Sequence, residues 1–356
     1  MSAPIKVLIV DDSSLVRKIV TDILQKDSMI EVVGTASNGK IALYKNKKLN
    51  PDVITMDIEM PILDGLAALE EIIKADPKPV IMMSVLTQHG AEATFKALRL
   101  GAVDFIPKPS TLLNVSVDDI SELLIKKIKN VHDLKIKAPV RETIGKEAAG
   151  KDSIALKEVK KSYNENSVSP RIIGMGTSTG GPSALMDIFN TFPDNFPSPV
   201  LVVQHMPEGF TKLFSNRLDS ISKLRVKEAE DNDDVLPGHA YLAPGDSHML
   251  LEKKGGKYII KVNKDKRVSG HRPSIDVLFN SIAANAGNDS VGVIMTGMGK
   301  DGADGIKNIK KKGGFTIAQN EETSVVYGMN RVAVEKGVID EIVPLFNIIK
   351  KIVEYI

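Results

Sequence analysis

The sequence contains no cysteine among its 356 residues. Disulfide bonds, thiolate nucleophiles, iron–sulfur clusters and zinc sites that need sulfur ligands are therefore excluded. Histidine is also scarce, with six residues: His89, His132, His205, His239, His248 and His271. Any histidine base must be one of these. No pair has the spacing of the helical metal-binding motif H-E-x-x-H, so a metalloprotease is not expected.

Neither charge nor hydrophobicity is strongly biased. Lys and Arg total 47 and Asp and Glu total 45, which gives a net charge of +2. This near balance argues against a broad nucleic-acid footprint or a polybasic membrane surface. No apolar run approaches the ~20 residues of a transmembrane helix, and no basic region precedes the first apolar stretch. We expect a cytoplasmic protein with no nucleic-acid partner and no direct membrane insertion.

The first part of the chain alternates short apolar runs with segments of helical periodicity. The apolar runs lie at 5–10, 30–36, 52–57, 79–84 and 103–108. Nearly continuous apolar runs are typical of parallel strands that are covered on both faces. The pattern predicts an α/β fold over residues 1–125, a doubly wound, flavodoxin-like (βα)5 domain.

A second α/β pattern follows a stretch of mixed composition. Residues 126–168 combine charges, small residues and Pro, and periodicity is lost along most of their length, so we predict a linker there. Further candidate strands lie at 171–176, 199–205, 225–230, 291–296 and 314–320. Residues 248–262 predict a β-hairpin that turns at Gly255–Gly256. We therefore expect a second doubly wound domain, a Rossmann-like parallel sheet with a hairpin, over residues 169–356.

Three carboxylates follow strands of the first predicted sheet. Asp11 and Asp12 come after the first strand and Asp57 ends the third, so all three belong at one carboxyl edge. A divalent cation, with Mg²⁺ the expected ion, would relieve their repulsion. Ser84 and Lys108 end the next two strands and would add a hydroxyl and a cation. Singly, such residues cap helices or face solvent; together they predict an aspartate that accepts a phosphoryl group.

A serine lies in the glycine-rich turn that opens the second domain. Residues 176–180 read G-T-S-T-G, which matches G-x-S-x-G with Ser178 at its centre. A dinucleotide fingerprint fails because its third glycine arrives one residue late, at Gly180. A P-loop fails because residues 299–301 read G-K-D without the required Ser or Thr. The G-x-S-x-G pattern alone is a weak signal, since ordinary loop glycines produce it equally often.

A base and an orienting acid can be found at the ends of other strands. His205 ends an apolar strand, which places it at the same edge as Ser178 if the sheet is parallel. Asp301 follows a later strand and its glycine-rich turn, whereas Asp304 fits better in the following helical turn. The three residues predict a Ser-His-Asp triad for acyl transfer, in which His205 deprotonates Ser178.

The first domain resembles the receiver domains of two-component response regulators. The resemblance rests on the motifs DDSS, MDIEMPILDG and DFIPKP, with a serine after the fourth strand, over about 1–125. It implies that Asp57 is the phosphoacceptor. It also implies that Mg²⁺, needed only for phosphorylation, is bound by Asp11, Asp12, Asp57 and the backbone carbonyl of Glu59.

The same resemblance assigns three further positions. Ser84 and Lys108 would contact the phosphoryl group. Phe105 matches the aromatic position that changes rotamer on activation, although a role as a core residue explains it equally well. The resemblance implies a chemotaxis histidine kinase as the phosphodonor.

The second domain is similar to the catalytic domain of the chemotaxis protein-glutamate methylesterase family, CheB. The motifs are GTSTGG, VVQHMPEGFT, YLAPGDSHM, HRPSIDVLF and MTGMGKDGADG. The resemblance places nucleophile, base and acid on Ser178, His205 and Asp301, and an oxyanion-hole amide on Met298. The family often has Ala where this chain has Thr177, a difference that we expect to alter packing more than chemistry.

The two resemblances together imply an enzyme controlled by phosphorylation. It would hydrolyse glutamyl methyl esters on methyl-accepting chemoreceptors, release methanol and deamidate receptor glutamines, with no cofactor for the esterase. We expect the unphosphorylated receiver to cover the Ser178 edge. The alternative is a response regulator whose output domain binds DNA or a nucleotide without catalysis. Against DNA binding, the second domain offers no concentrated Lys/Arg helix.

Overall fold

The computed structural model describes residues 3–85, 87–109, 117–134 and 171–356. The first domain has a five-stranded parallel sheet in the order β2-β1-β3-β4-β5. Its strands are β1 (Ile5–Val10), β2 (Ile30–Ala36), β3 (Val53–Asp57), β4 (Val80–Ser84) and β5 (Asp104–Pro107). This is the flavodoxin-like order, so the predicted fold of the first domain is confirmed.

Five helices cover the two faces of this sheet. They are α1 (Ser14–Leu24), α2 (Gly39–Leu49), α3 (Gly65–Ala75), α4 (Gln88–Leu100) and α5 (Val117–Val131). The first four begin at capping side chains that accept a hydrogen bond from the first helical turn; these are Ser13, Asn38, Asp64 and Thr87. Such caps satisfy backbone amides that have no partner within the helix, which fixes where each helix starts.

Helix α5 crosses the predicted boundary between the first domain and the linker. Ile128 and Val131 are fully buried in the hydrophobic core of the first domain. Helical structure therefore continues past the predicted linker start at residue 126, because this apolar face has a sheet to cover. Residues 135–168 of the predicted linker lie outside the described residues.

The second domain has a seven-stranded parallel sheet and a separate two-stranded hairpin. The strands are β6 (Ile172–Thr177), β7 (Val200–Gln204), β8 (Arg225–Glu228), β9 (His239–Leu242), β10 (His248–Lys254), β11 (Lys257–Asn263), β12 (Ser290–Ile294), β13 (Phe315–Gln319) and β14 (Glu341–Val343). The sheet order is β14-β13-β12-β6-β7-β9-β8, and β10 pairs with β11. The predicted α/β class and the hairpin are confirmed. Strands β9 and β14 were not predicted, because each is a short segment held by pairing with its neighbours in the sheet rather than by a pattern of its own.

The helices of the second domain again lie on both faces of the sheet. They are α6 (Gly181–Phe189), α7 (Phe210–Ile221), α8 (Ile275–Asn285), α9 (Ala303–Lys311), α10 (Met329–Glu335) and α11 (Ile348–Tyr355). Helices α6 and α7 pack on one face, in a core that contains Phe189 and Phe214. Helices α8 and α9 pack on the other face, in a core that contains Phe279 and Ile306.

The two domains contact each other through aromatic side chains. Phe95 of α4 lies 5.2 Å from Phe214 of α7, measured between ring centroids. Phe105 of β5 lies 4.9 Å from Phe210, the first residue of α7. All four rings are buried in one hydrophobic cluster that extends across both domains. In this structure the receiver-like domain is therefore packed against the second domain rather than separated from it.

Among the described residues, none of the helices is both long and apolar enough to cross a membrane.

Candidate active site

The strand order of the second sheet defines a crevice at its carboxyl edge. The chain adds β7, β8 and β9 on one side of β6, and then places β12, β13 and β14 on the other side. Ligands of open α/β sheets bind at such a reversal, outside the carboxyl ends of the strands. Ser178 follows β6, His205 follows β7, and Asp301 lies in the loop after β12.

These three side chains form a continuous hydrogen-bonded chain. His205 Nδ1 lies 3.1 Å from Ser178 Oγ, and His205 Nε2 lies 2.8 Å from Asp301 Oδ2. The side chain of His205 is 8% exposed and that of Asp301 is 1% exposed. The structure therefore brings together the three residues that the sequence singled out. The arrangement can deprotonate a serine hydroxyl and hold the resulting imidazolium beside a carboxylate.

Asp301 is held as an anion at the start of α8. Ser274 Oγ donates to Oδ1 at 2.8 Å, and the backbone amide of Ile275 donates to Oδ2 at 2.8 Å. The amide of Asp276 also donates to Oδ1, at 3.1 Å. Burial raises the pKa of Asp301, but the His205 contact and these donors outweigh it and lower the pKa to about 2. Asp301 therefore stays ionised throughout the pH range in which a histidine base works.

Two backbone amides near Ser178 have no acceptor among the described residues. The Ser178 amide itself donates to the carbonyl oxygen of Thr296 at 3.0 Å. Within the described part of the chain, the amides of Thr179 and Met298 have no acceptor. A Cβ atom on Gly297 would lie 2.8 Å from the Cβ atom of Ser178, so the loop before Met298 passes directly against the nucleophile. Unpaired backbone amides beside a serine hydroxyl are the kind of donor that can stabilise an oxyanion.

His271 belongs to this site, although sequence reasoning did not place it there. Its ring stacks on His205 with centroids 3.8 Å apart and planes 4° from parallel. Its Nε2 lies 3.0 Å from Nζ of Lys126, on helix α5 of the first domain. Burial, the neighbouring His205 and the Lys126 charge lower the pKa of His271 to about 3, so its ring is neutral near pH 7. The motif HRPS contains His271, but no spacing in the sequence links it to His205 or Lys126.

The carboxylates of the first domain also meet at a topological reversal, between β1 and β3. Oxygen atoms of Asp11, Asp12 and Asp57 lie within 4.8 Å of one another, in a cluster able to hold a metal ion. Lys108 Nζ lies 2.7 Å from Asp57 Oδ2 and 3.2 Å from Asp11 Oδ2. Burial is the largest effect on both acids, raising the pKa of Asp57 to about 6 and that of Asp11 above its ordinary value. These three carboxylates therefore offer oxygen ligands of the kind that a divalent cation prefers.

Three other predicted positions lie near this cluster but make different contacts. Ser84 Oγ donates to the carbonyl oxygen of Gly90 at 3.1 Å, and no hydrogen bond joins it to Asp57. Glu59 donates its backbone amide to Asp57 Oδ1 at 3.4 Å. The ring of Phe105 is buried at the domain contact. The structure thus brings Asp57 and Lys108 into contact, while the Ser84 hydroxyl faces helix α4.

Comparison with protein families identifies both domains. The receiver-domain family, described as "Response regulator receiver domain", matches residues 7–116. The family described as "CheB methylesterase" matches residues 173–352, about half of the chain. The chain belongs to the CheB methylesterase family. A DNA- or nucleotide-binding output domain is not supported, because the whole output region matches a CheB catalytic domain.

Relatives of CheB type extend over almost the full chain. A protein of Pyrococcus abyssi named protein-glutamate methylesterase/protein-glutamine glutaminase is 47% identical over 351 residues, covering 98% of this chain and 93% of its own length. A protein of the same name from Methanococcus maripaludis is 43% identical over 357 residues, and the match covers 99% of this chain and 98% of that protein. The crystal structure of the Thermotoga maritima CheB methylesterase catalytic domain is 44% identical, covers 53% of this chain and all of that one, and has a TM-score of 0.52. The two-domain architecture is therefore that of CheB.

Proposed function

We propose that this chain hydrolyses glutamyl methyl esters of chemoreceptors and deamidates their glutamines, with Ser178 as the nucleophile. The observation that carries the proposal is the unbroken chain of contacts from Ser178 through His205 to Asp301, at the crevice of a CheB-type sheet. An ester and a primary amide share the same acyl chemistry, so one site can serve both reactions.

The reaction proceeds through an acyl-enzyme. His205 accepts the Ser178 proton as Oγ attacks the γ-carbonyl carbon, and the C–O bond to the methyl group's oxygen breaks with return of that proton, releasing methanol. Water, deprotonated by His205, then attacks the acyl carbon and restores Ser178 with a free glutamate. For glutamine the leaving group is ammonia. Asp301 stays ionised and stabilises the imidazolium in both steps.

Two backbone amides complete this proposal. The Met298 amide would bind the oxygen that becomes negative in the tetrahedral intermediate, as the family resemblance implies. The Thr179 amide is a second donor, because it directly follows the nucleophile at the start of α6 and has no acceptor within the described residues. Fixed donors of this kind typically contribute about 2.7–4 kcal/mol each to catalysis.

Methanol release from a methylated receptor fragment tests the proposal. Ser178→Ala should lower the rate by about 10⁶-fold if the serine forms the acyl-enzyme. Ser220→Ala, on the exposed side of α7, is the matched control and should leave the rate unchanged. Turnover by Ser178→Ala at the rate of the control would refute the assignment.

We also propose that Asp57 accepts a phosphoryl group from a chemotaxis histidine kinase. The fit of a metal ion is supported by two buried oxygens, Asp11 Oδ2 and Asp57 Oδ2, whose only described partner is the Lys108 ammonium. Asp11, Asp12, Asp57 and the backbone carbonyl of Glu59 would hold Mg²⁺. The ion would supply positive charge to neutralise the phosphoryl oxygens.

In this proposal Lys108 and Ser84 position Asp57 and the phosphoryl group that it accepts. Lys108 holds the attacking carboxylate of Asp57 and would afterwards pair with the phosphoryl group. Ser84 would reach that group only after its hydroxyl leaves the Gly90 carbonyl. Incubation with acetyl phosphate should add one phosphoryl group in the presence of Mg²⁺ and none to Asp57→Asn. Equal incorporation of phosphoryl groups into Asp57→Asn would show that another residue is the acceptor.

We propose further that the unphosphorylated first domain restrains the esterase. The contacts that support this are the Phe105–Phe210 packing and the approach of Lys126 to His271, directly beside His205. Phosphorylation would shift the population towards forms in which these contacts are open.

A further inference from the structure

The side chain of Gln204 lies between the nucleophile loop and the base loop. Gln204 is the last residue of β7 and is 2% exposed. Its Nε2 donates to the carbonyl oxygen of Ser178 at 3.0 Å and to the carbonyl oxygen of His205 at 3.0 Å. One buried amide group therefore binds the backbones of both residues between which the proton must move.

The backbone of the two loops has additional fixed points. The carbonyl oxygen of Ser178 also accepts from the amide of Gly181 at 2.8 Å, and the Ser178 amide donates to Thr296. The His205 amide donates to the carbonyl oxygen of Thr177 at 3.2 Å. Ser178 and His205 are therefore each fixed at both their amide and their carbonyl group, and among the described residues Gln204 is the only side chain that bonds to both backbones.

Backbone carbonyl oxygens determine which way the Gln204 amide points, and Thr177 supplies the donor for its oxygen. The hydroxyl of Thr177 donates to Gln204 Oε1, and both groups are buried. If the amide were rotated by 180°, Oε1 would face two carbonyl oxygens and Nε2 would face a hydroxyl. The two carbonyl oxygens, which can only accept, thus set the orientation of the amide, and the Thr177 hydroxyl satisfies the Oε1 atom that then faces it.

The space around this contact is closed. A Cβ atom on Gly181 would overlap both Thr177 Oγ1 and Gln204 Oε1, so this position of α6 has no room for a side chain. No water fits where the two side chains already touch. In Thr177→Val a methyl group takes the place of the hydroxyl, so no water can replace it, and Gln204 Oε1 would be left buried without this donor, which is costly.

We propose that Thr177 and Gln204 form a positioning pair that holds Ser178 and His205 at the separation needed for proton transfer. Neither side chain touches the substrate; the pair acts through the backbone of the nucleophile and the base. This inference rests on the proposed function. It goes beyond the expectation that Thr177 alters packing more than chemistry, because an alanine at this position has no hydroxyl with which to satisfy Gln204 Oε1.

The test uses the full chain and a readout that does not need the receptor. We would measure the rate at which a fluorophosphonate labels Ser178, together with kcat and KM on a nitrophenyl ester and the thermal unfolding midpoint. Thr177→Val removes the hydroxyl at nearly constant volume, and Thr177→Ser retains it. Thr316→Val is the matched control, because Thr316 is a fully buried threonine on β13 whose hydroxyl bonds the carbonyl oxygen of Val338 at 2.8 Å, away from the triad.

We expect Thr177→Val to lower the labelling rate and kcat by about tenfold to a hundredfold, the range for small misplacements of reacting groups, with KM nearly unchanged. Thr177→Ser should restore most of the rate. Thr316→Val should lower the unfolding midpoint but label at the wild-type rate. Gln204→Glu should lower labelling as well, and combining it with Thr177→Val should add little, since the two residues act as a unit.

Two results would overturn the inference. One is labelling of folded Thr177→Val at the wild-type rate. The other is a rate loss in Thr177→Val and Thr316→Val that follows only the fraction of unfolded protein. Either would leave the proposed function intact. By contrast, wild-type protein that fails to label at Ser178 would refute the proposed function itself.

Discussion

The ring of His271 lies flat against the ring of His205, with centroids 3.8 Å apart and planes 4° from parallel. Stacking covers one face of His205 while both of its ring nitrogens remain in contact with Ser178 and Asp301. A ring in this position limits rotation of His205 about its own side-chain bonds. It also contacts Lys126 of the first domain, so it is the side chain that joins the receiver to the triad.

Replacing His271 should therefore slow the reaction without abolishing it. Because offset or parallel ring contacts contribute about 1 kcal/mol, we expect His271→Ala to lower kcat about fivefold or more. His271→Phe preserves a flat ring and should lose less. The pKa of His271 is about 3, so its ring does not titrate near neutrality. The pH profile of kcat/KM between pH 5 and 9 should thus keep its shape in His271→Phe. A shift of its acidic or basic side along the pH axis would show that His271 itself exchanges protons.

Asp301→Asn should cost far more, because it removes the charge that stabilises the His205 imidazolium. By analogy with other triads we expect kcat to fall by about 10⁴-fold. Asp304→Asn is the matched control on the next helical turn, since Asp304 is exposed and pairs with Lys336 at 2.9 Å. Ester hydrolysis by both variants decides between the two acids. Equal losses would contradict the assignment of Asp301.

The buried acid beside Asp301 should make stability depend on pH. Burial raises the pKa of Asp276 to about 6, assisted by the charge of Asp301. Because folding raises this pKa, the protonated carboxyl contributes its full share of folding stability below about pH 4, where it is protonated in both the folded and the unfolded state. That contribution is lost as the pH rises through about 6, where the folded protein must ionise a buried group. Asp276→Asn cannot ionise, and its side-chain oxygen can still accept from the Gly305 amide, as Asp276 does at 2.7 Å.

We therefore expect Asp276→Asn to raise the unfolding midpoint of the second domain at pH 8 and to have less effect at pH 5. Calorimetry at both pH values checks this. Asp304→Asn serves as the comparison. The hydrogen bond from Lys336 lowers the pKa of Asp304, so ionisation of Asp304 stabilises the fold, whereas ionisation of Asp276 destabilises it. A gain at pH 5 as large as that at pH 8 would show that ionisation of Asp276 is not the cause.

The contact between Lys126 and His271 predicts where the first domain acts on the esterase. Removing the ammonium in Lys126→Ala should raise the activity of unphosphorylated protein about fivefold, at the lower end of common coupling energies. Lys129→Ala is the matched control on the same helix, because Lys129 pairs with Asp27 inside the first domain. With acetyl phosphate, the rates of wild type and Lys126→Ala should converge. A Lys129→Ala rate as high as that of Lys126→Ala would contradict a specific contact.

The sequence was sufficient for the parts of the fold that depend on local pattern. Strands such as β1 and β3 are apolar runs followed directly by acids, and their parallel pairing places Asp11 and Asp57 together. The edge strand β14 could not be predicted in the same way, since its three residues are held by pairing with β13 rather than by their own pattern. The Ser178, His205 and Asp301 positions could be proposed because each follows a predicted strand.

The side chains around the triad were beyond sequence reasoning for a physical reason. His271 reaches His205 from a loop after the hairpin, and Lys126 reaches His271 from another domain, so both contacts depend on tertiary packing. Gln204 precedes His205 in the chain, yet its amide also bonds the Thr177 hydroxyl and the Ser178 backbone on the neighbouring strand and loop. Such contacts follow from three-dimensional placement, which no spacing along the chain reports.

The central claim is that Ser178 attacks the glutamyl ester and carries the acyl group. Rapid acid quenching of the enzyme with a methylated receptor peptide, followed by mass spectrometry of the proteolysed chain, measures this directly. We predict that the peptide containing Ser178 gains the mass of the receptor peptide less methanol, and that Ser178→Ala shows neither the adduct nor methanol release. An adduct on another residue, or wild-type turnover by Ser178→Ala, would contradict the claim.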